Sequence, residues 1–210
     1  MAQPVKLLIV DDHPVVVSGC RSLFASDPSI SIDDAVDEKS GHRAYLSKRP
    51  DVTIIDINLP DLSGFELMRR IRKDDPEARI IMFSMNDDPV FAARAIEVGA
   101  KGYVSKSGDP NDLVEAILQV GRGDTYLPPA IARSIAFAGP TAAQGPLAKL
   151  TSREMEIVRL LSAGKSLSEI AWLVQSSYKT VANTSSIIRQ KLGVRTSGEL
   201  VRFAIEHGVA

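Results

Sequence analysis

Along the first 120 residues, short apolar runs alternate with stretches in which apolar positions recur at helical spacing, the pattern of repeated βα units. Strands are predicted near 5–10, 31–36, 52–56, 79–83 and 102–105, with helices near 14–26, 39–48, 63–73, 88–98 and 110–120. The first and third runs, VKLLIV and DVTII, are apolar almost throughout, as central parallel strands covered on both faces are. The second, ISIDDAV, is more polar and reads as a sheet edge. The fold class expected is an α/β domain with a five-stranded parallel doubly wound sheet of the flavodoxin-like kind, over residues 1–121.

From 122 to 147 the pattern lapses into Gly, Pro and Ala, with IARSIAFA the one stretch able to form a short helix; this reads as a linker. Helical signals resume at Thr151, where TSRE has the form of a capping box. A helix ending at Gly164, a short one in SEIAWLV, a third over about 177–191 and a fourth over about 197–207 give a small all-α four-helix domain at 148–210. A short helix, a tight turn and a longer helix make a helix-turn-helix candidate.

Charge separates the two parts. Residues 1–146 hold 16 Lys and Arg against 21 Asp and Glu, and residues 147–210 hold 9 against 5. An acidic front and a basic tail suggest two jobs, the second compatible with nucleic acid. No apolar run approaches the roughly 20 residues of a membrane-spanning helix, and MAQPVKLLIVDDH lacks the features of a secretory signal, so a cytoplasmic chain is expected. Cys20 is the single cysteine, which excludes an intrachain disulfide, and its apolar setting reads as a buried structural thiol.

Five polar positions fall where predicted strands end: Asp11 with Asp12, Asp56, Ser84 and Lys106. In an open parallel sheet the carboxyl ends of the strands share one pocket. Three carboxylates, a hydroxyl and an ammonium there suit a hard divalent cation and a phosphoryl group. With VDDH, IIDINLPDLSG, Ser84 and Lys106 in this order and spacing, residues 5–120 resemble the receiver domain of a two-component response regulator. The resemblance implies that Asp56 accepts a phosphoryl group from a sensor histidine kinase. It also implies that Asp12, Asp56 and the Asn58 carbonyl ligate Mg²⁺, with Asp11 acting through water. Lys106 would pair with phosphoryl oxygens, and Ser84 and Tyr103 would form the switch pair. Ser107 departs from the family's pattern, in which proline commonly follows the lysine.

Residues 150–205 resemble the LuxR-type helix-turn-helix of the NarL/FixJ regulators, carried by LTSRE, SEIA, KTV and KLGVRT. This implies transcriptional control through double-stranded DNA, read by the third helix. Helical spacing puts Val181, Ile188 and Leu192 inward, and leaves Tyr178, Lys179, Thr180, Asn183, Ser186 and Gln190 as the expected DNA contacts. Ala182, Thr184 and Ser186 stand where basic residues or histidine are common, so each copy is expected to bind weakly and to act as a homodimer when phosphorylated. The apolar stripe Leu200, Val201, Ala204 and Ile205 is the expected dimer contact. A regulator that docks on proteins through its helix-turn-helix is the alternative. A free-standing phosphatase is a third class, for which no separate general base is evident.

Overall fold

A computed structural model describes the chain except residues 1–4, 26, 61–62, 86–88, 139–146, 148–149, 175 and 208–210. It divides into two compact units, Met1–Ala142 and Ala143–Ala210.

The first unit alternates β1 (Val5–Val10), α1 (Pro14–Leu23), β2 (Ile30–Ala35), α2 (Glu38–Lys48), β3 (Val52–Asp56), α3 (Gly64–Asp74), β4 (Ile80–Ser84), α4 (Pro89–Val98), β5 (Gly102–Ser105) and α5 (Pro110–Gly121). All pairings are parallel, in the order β2-β1-β3-β4-β5. The order reverses between β1 and β3, so their carboxyl ends open onto a common crevice. Every residue of β3 and β4 is buried, while β2 is only partly so, as the polarity of ISIDDA requires of an edge. α1 stops at Leu23, three residues short of its expected end.

Residues 122–138, expected as linker, stay with the sheet. Tyr126 forms a parallel bridge with Gly102: its N–H donates to the Lys101 carbonyl at 2.9 Å and its carbonyl accepts from the Tyr103 N–H at 3.2 Å. The Tyr126 ring joins the core containing Val104, Ile117 and Val120, and its hydroxyl donates to Asp112 Oδ1 at 2.7 Å. The following helix, α6 (Pro129–Ala138), packs on α4. A single large aromatic burying most of its surface outweighs the Gly- and Pro-rich composition around it.

The second unit holds α7 (Ser152–Ser162), α8 (Leu167–Leu173), α9 (Tyr178–Leu192) and α10 (Ser197–Glu206). Each starts at a Ser or Thr whose side chain accepts from the backbone N–H three residues on: Thr151, Ser166, Ser177 and Thr196. These caps satisfy donors that a helix leaves open at its first turn. The core gathers Met155, Val158, Ile170, Val181, Ile188, Leu200 and Ala204. Among the described residues no helix is long and apolar enough to cross a membrane.

Candidate functional site

The strand order brings the predicted residues of the first unit together. Asp11 follows β1, Asp56 ends β3, Ser84 ends β4, and Lys106 follows β5. The Lys106 N–H donates to the Ser84 carbonyl at 2.7 Å, tying the last two strand ends. Lys106 Nζ lies 2.7 Å from Asp11 Oδ2 and 2.8 Å from Asp56 Oδ2, with the three side chains 1–4% exposed. Neither Oδ2 has a directed hydrogen-bond donor, so the ammonium holds both carboxylates by charge. The Asp56 Oδ1 accepts from the Asn58 N–H at 3.1 Å. Burial pushes the Asp56 carboxyl above the usual carboxylate range; Lys106 pulls it down and Asp11 adds to the rise.

Two contributors were not assigned from sequence. His13 Nδ1 lies 2.8 Å from Asp12 Oδ1, 3.1 Å from Asp11 Oδ1 and 3.7 Å from Asp56 Oδ2. The His13 backbone N–H also donates to Asp11 Oδ1, orienting that carboxylate. The VDDH run contained the signal, but only the strand's end reveals that the ring turns back over the pocket. The other is Gly64. A Cβ there would sit 2.0 Å from the Asp56 carbonyl oxygen, so α3 starts against the backbone of the phosphoacceptor candidate only because position 64 has no side chain.

Oxygens of Asp11, Asp12 and Asp56 and a nitrogen of His13 lie within 4.8 Å of one another. Buried carboxylate oxygens without directed donors fit a hard divalent cation, whose preferred ligands are oxygens. Ser84 and Tyr103 are wholly buried, in register positions two apart on the adjacent β4 and β5. Ser107 donates its N–H to Ser105 Oγ at 3.2 Å, a bond that proline could not make.

In the second unit α9 presents the face that spacing predicts. Val181 and Ile188 are buried, Leu192 is half-buried, and Tyr178, Lys179, Thr180, Asn183, Ser186 and Gln190 are exposed. The Thr180 hydroxyl is already engaged with Ser177, 2.8 Å away, in the cap. Two polar ties unassigned from sequence hold α9. Glu154 accepts from the Thr151 N–H and from Lys191 Nζ, both at 2.7 Å, so one buried carboxylate caps α7 and braces the far end of α9. Arg153 reaches across to the Val174 carbonyl, where α8 ends. Trp172, Leu173 and Tyr178 are exposed around the turn.

The expected dimer stripe needs correction. Leu200 and Ala204 have no exposed surface, because α10 packs them against α7 and α9 of the same domain. Val201 is half-buried, and Ile205 alone of the four is exposed. A stripe at helical spacing reports that a face is covered, and here the domain's own core covers it.

Residues 7–118 match the response regulator receiver domain, and residues 148–204 match the bacterial regulatory proteins of the luxR family. Over 208 residues the chain is 35% identical to the methanol utilization control regulatory protein MoxX of Paracoccus denitrificans, covering 98% of this chain and 93% of that one. A crystal structure of a LuxR-family two-component response regulator from Aurantimonas sp. SI85-9A1 superposes with a TM-score of 0.62 at 39% identity, covering 65% of this chain and 98% of that one. RcsB from Salmonella enterica serovar Typhimurium, bound to promoter rprA in the presence of the phosphomimetic BeF3-, gives 0.60 at 25% identity, covering 95% and 98%.

Proposed function

The chain belongs to the two-component response regulators that join a receiver domain to a LuxR-type DNA-binding domain, and on that premise we propose that phosphorylation of Asp56 controls its binding to DNA. The observation that carries this reading is the ammonium of Lys106 held between the buried carboxylates of Asp11 and Asp56. Asp56 is the nucleophile: one carboxylate oxygen bonds to phosphorus, the nitrogen–phosphorus bond of a kinase's phosphohistidine breaks, and the imidazole leaves with the electron pair. Asp11, Asp12, Asp56 and the Asn58 carbonyl would hold Mg²⁺, which when bound neutralises phosphoryl charge and aligns the reacting atoms. Lys106 is freed by the transfer to pair with phosphoryl oxygens, and the Ser84 hydroxyl donates to another. That pull on β4 and the Tyr103 ring on β5 form the two-state element.

In the second unit, Lys179 at the start of α9 meets a phosphate, and Asn183, one turn on, makes a bidentate contact to an adenine edge. Two phosphorylated copies on a two-fold symmetric site compensate for the sparse charge of α9. The protein is a transcription regulator rather than an enzyme, and a phosphohistidine donor together with chromosomal DNA points to the cytoplasm.

The test is capture of genomic fragments with and without a small phosphodonor and Mg²⁺. Donor-enhanced retention of a shared site is expected, and it should be absent in Asp56→Asn, which takes up no phosphoryl group. Lys179→Ala should weaken binding of all sequences alike, with a shallower salt dependence. Normal labelling of Asp56→Asn would refute the assignment of the acceptor.

A further inference from the structure

At the opposite end of the first unit's sheet, near the amino-terminal ends of the strands, a cleft of about 400 Å³ opens between β1, β2 and α5. Its size falls in the range of small-molecule sites, roughly 300–1,000 Å³. Four cations line it: Lys6, Arg49, Arg79 and Arg122. Among the described residues no hydrogen-bond or ion-pair partner is found for the side chains of Lys6, Arg49 or Arg122, while Arg79 uses one nitrogen on the Gly121 carbonyl at 2.7 Å.

The two carboxylates of the cleft are turned to backbone. Asp51 Oδ2 accepts from the Lys6 N–H at 2.8 Å, and Asp27 Oδ1 accepts from the Ser29 N–H at 2.9 Å. Four cations against two carboxylates leave a net charge of +2 at this wall. Beside Ser29, whose hydroxyl donates to Asp27 Oδ1, the lining includes an apolar wall of Val5, Ile30, Ile117 and Leu118, the last about half exposed.

Arg49 adds a conformational observation. It is the one non-glycine residue with positive φ among those described, at 49°. It sits at the end of α2, where its N–H donates to the Tyr45 carbonyl. Glycine or asparagine is the usual occupant of such a cap. An arginine there tolerates backbone strain at a position that lines the cleft, and strain of this kind gathers at functional positions.

We infer that this cleft binds a small phosphate monoester. The dianionic head matches the surplus of two positive charges, guanidinium forks suit its oxygens, and the ester's organic group covers the apolar wall. The site is separate from the Asp56 pocket and holds whether or not the proposal for Asp56 does.

Phenyl phosphate is the probe, added to ¹⁵N-labelled full-length protein in chelator, with inorganic phosphate and phenol as the two fragments. Saturable shifts of the Lys6, Ser29, Asp51 and Gly121 amides are expected, with phenyl phosphate binding more tightly than either fragment. Arg49→Gly relieves the positive φ, so it should melt no lower than the parent, yet weaken binding by about tenfold or more. Arg122→Ala, at an exposed position, should weaken it likewise. Shifts centred on Asp11, Asp56 and Lys106 would mean that the anion prefers the phosphorylation pocket, and would overturn the inference. So would an absence of shifts at millimolar probe, or unchanged affinity in both variants.

Discussion

Burial holds the Asp56 carboxyl above its ordinary range in the folded chain, so the native state binds that proton more tightly than the unfolded state does. Stability from this group is therefore present below the unfolded value and lost as pH rises through the folded one. Above the folded value the ionised carboxylate costs the native state stability. Asp56→Asn removes the charge and leaves Lys106 paired with Asp11, so it should stabilise the first unit by about 1–2 kcal/mol at pH 7. The gain should shrink as pH falls toward the carboxylate range, read from urea midpoints across pH. An Asn variant less stable than its parent at pH 7 would contradict this account. The acidic residues were legible from their places at strand ends, since a parallel sheet gives those ends one address. The role of Gly64 is not legible from the sequence. Its physical reason is the 2.0 Å approach of a missing Cβ to the Asp56 carbonyl, which no local pattern encodes.

Among the elements, α9 depends on a neighbour. Glu154 belongs to the capping box that marked the start of α7 in the sequence, but its second bond, to Lys191 near the end of α9, joins residues 37 apart. Glu154→Ala removes the carboxylate half of the capping box, while the Thr151 hydroxyl keeps its bond to the backbone N–H of residue 154, and leaves the Lys191 ammonium without its partner. It should cost the second unit about 1–3 kcal/mol and weaken DNA binding although residue 154 is not a DNA contact. The check is a thermal midpoint alongside a filter-binding titration; Lys191→Met, which loses the ion pair but keeps the cap, should show the smaller stability loss. Helix and strand periods made most element bounds legible to within a few residues. What a period cannot say is which surface covers a face, and so Leu200 and Ala204 were misread as a contact between copies when α7 and α9 already bury them.

At the scale of the whole molecule, the divide between the units falls later than composition suggests, after Ala142 rather than near residue 121. Tyr126 accounts for the difference: one ring in the sheet's core and one hydroxyl on Asp112 keep the chain folded where Gly and Pro read as linker. Tyr126→Phe deletes only the hydroxyl bond and should cost about 0.5–1.5 kcal/mol, whereas Tyr126→Ala, which empties the core position, should cost about 3–5 kcal/mol. Equal losses in the two variants, measured by denaturant unfolding of the full chain, would show that the ring is not what anchors the segment.

The same bridge bears on how the protein behaves when crowded. β5 is the last strand of the sheet, and an outermost strand offers unpaired amides and carbonyls to any passing chain. Tyr126 engages the Lys101 carbonyl and the Tyr103 amide on that side. The sheet thus has part of one of its two borders already sealed by its own backbone.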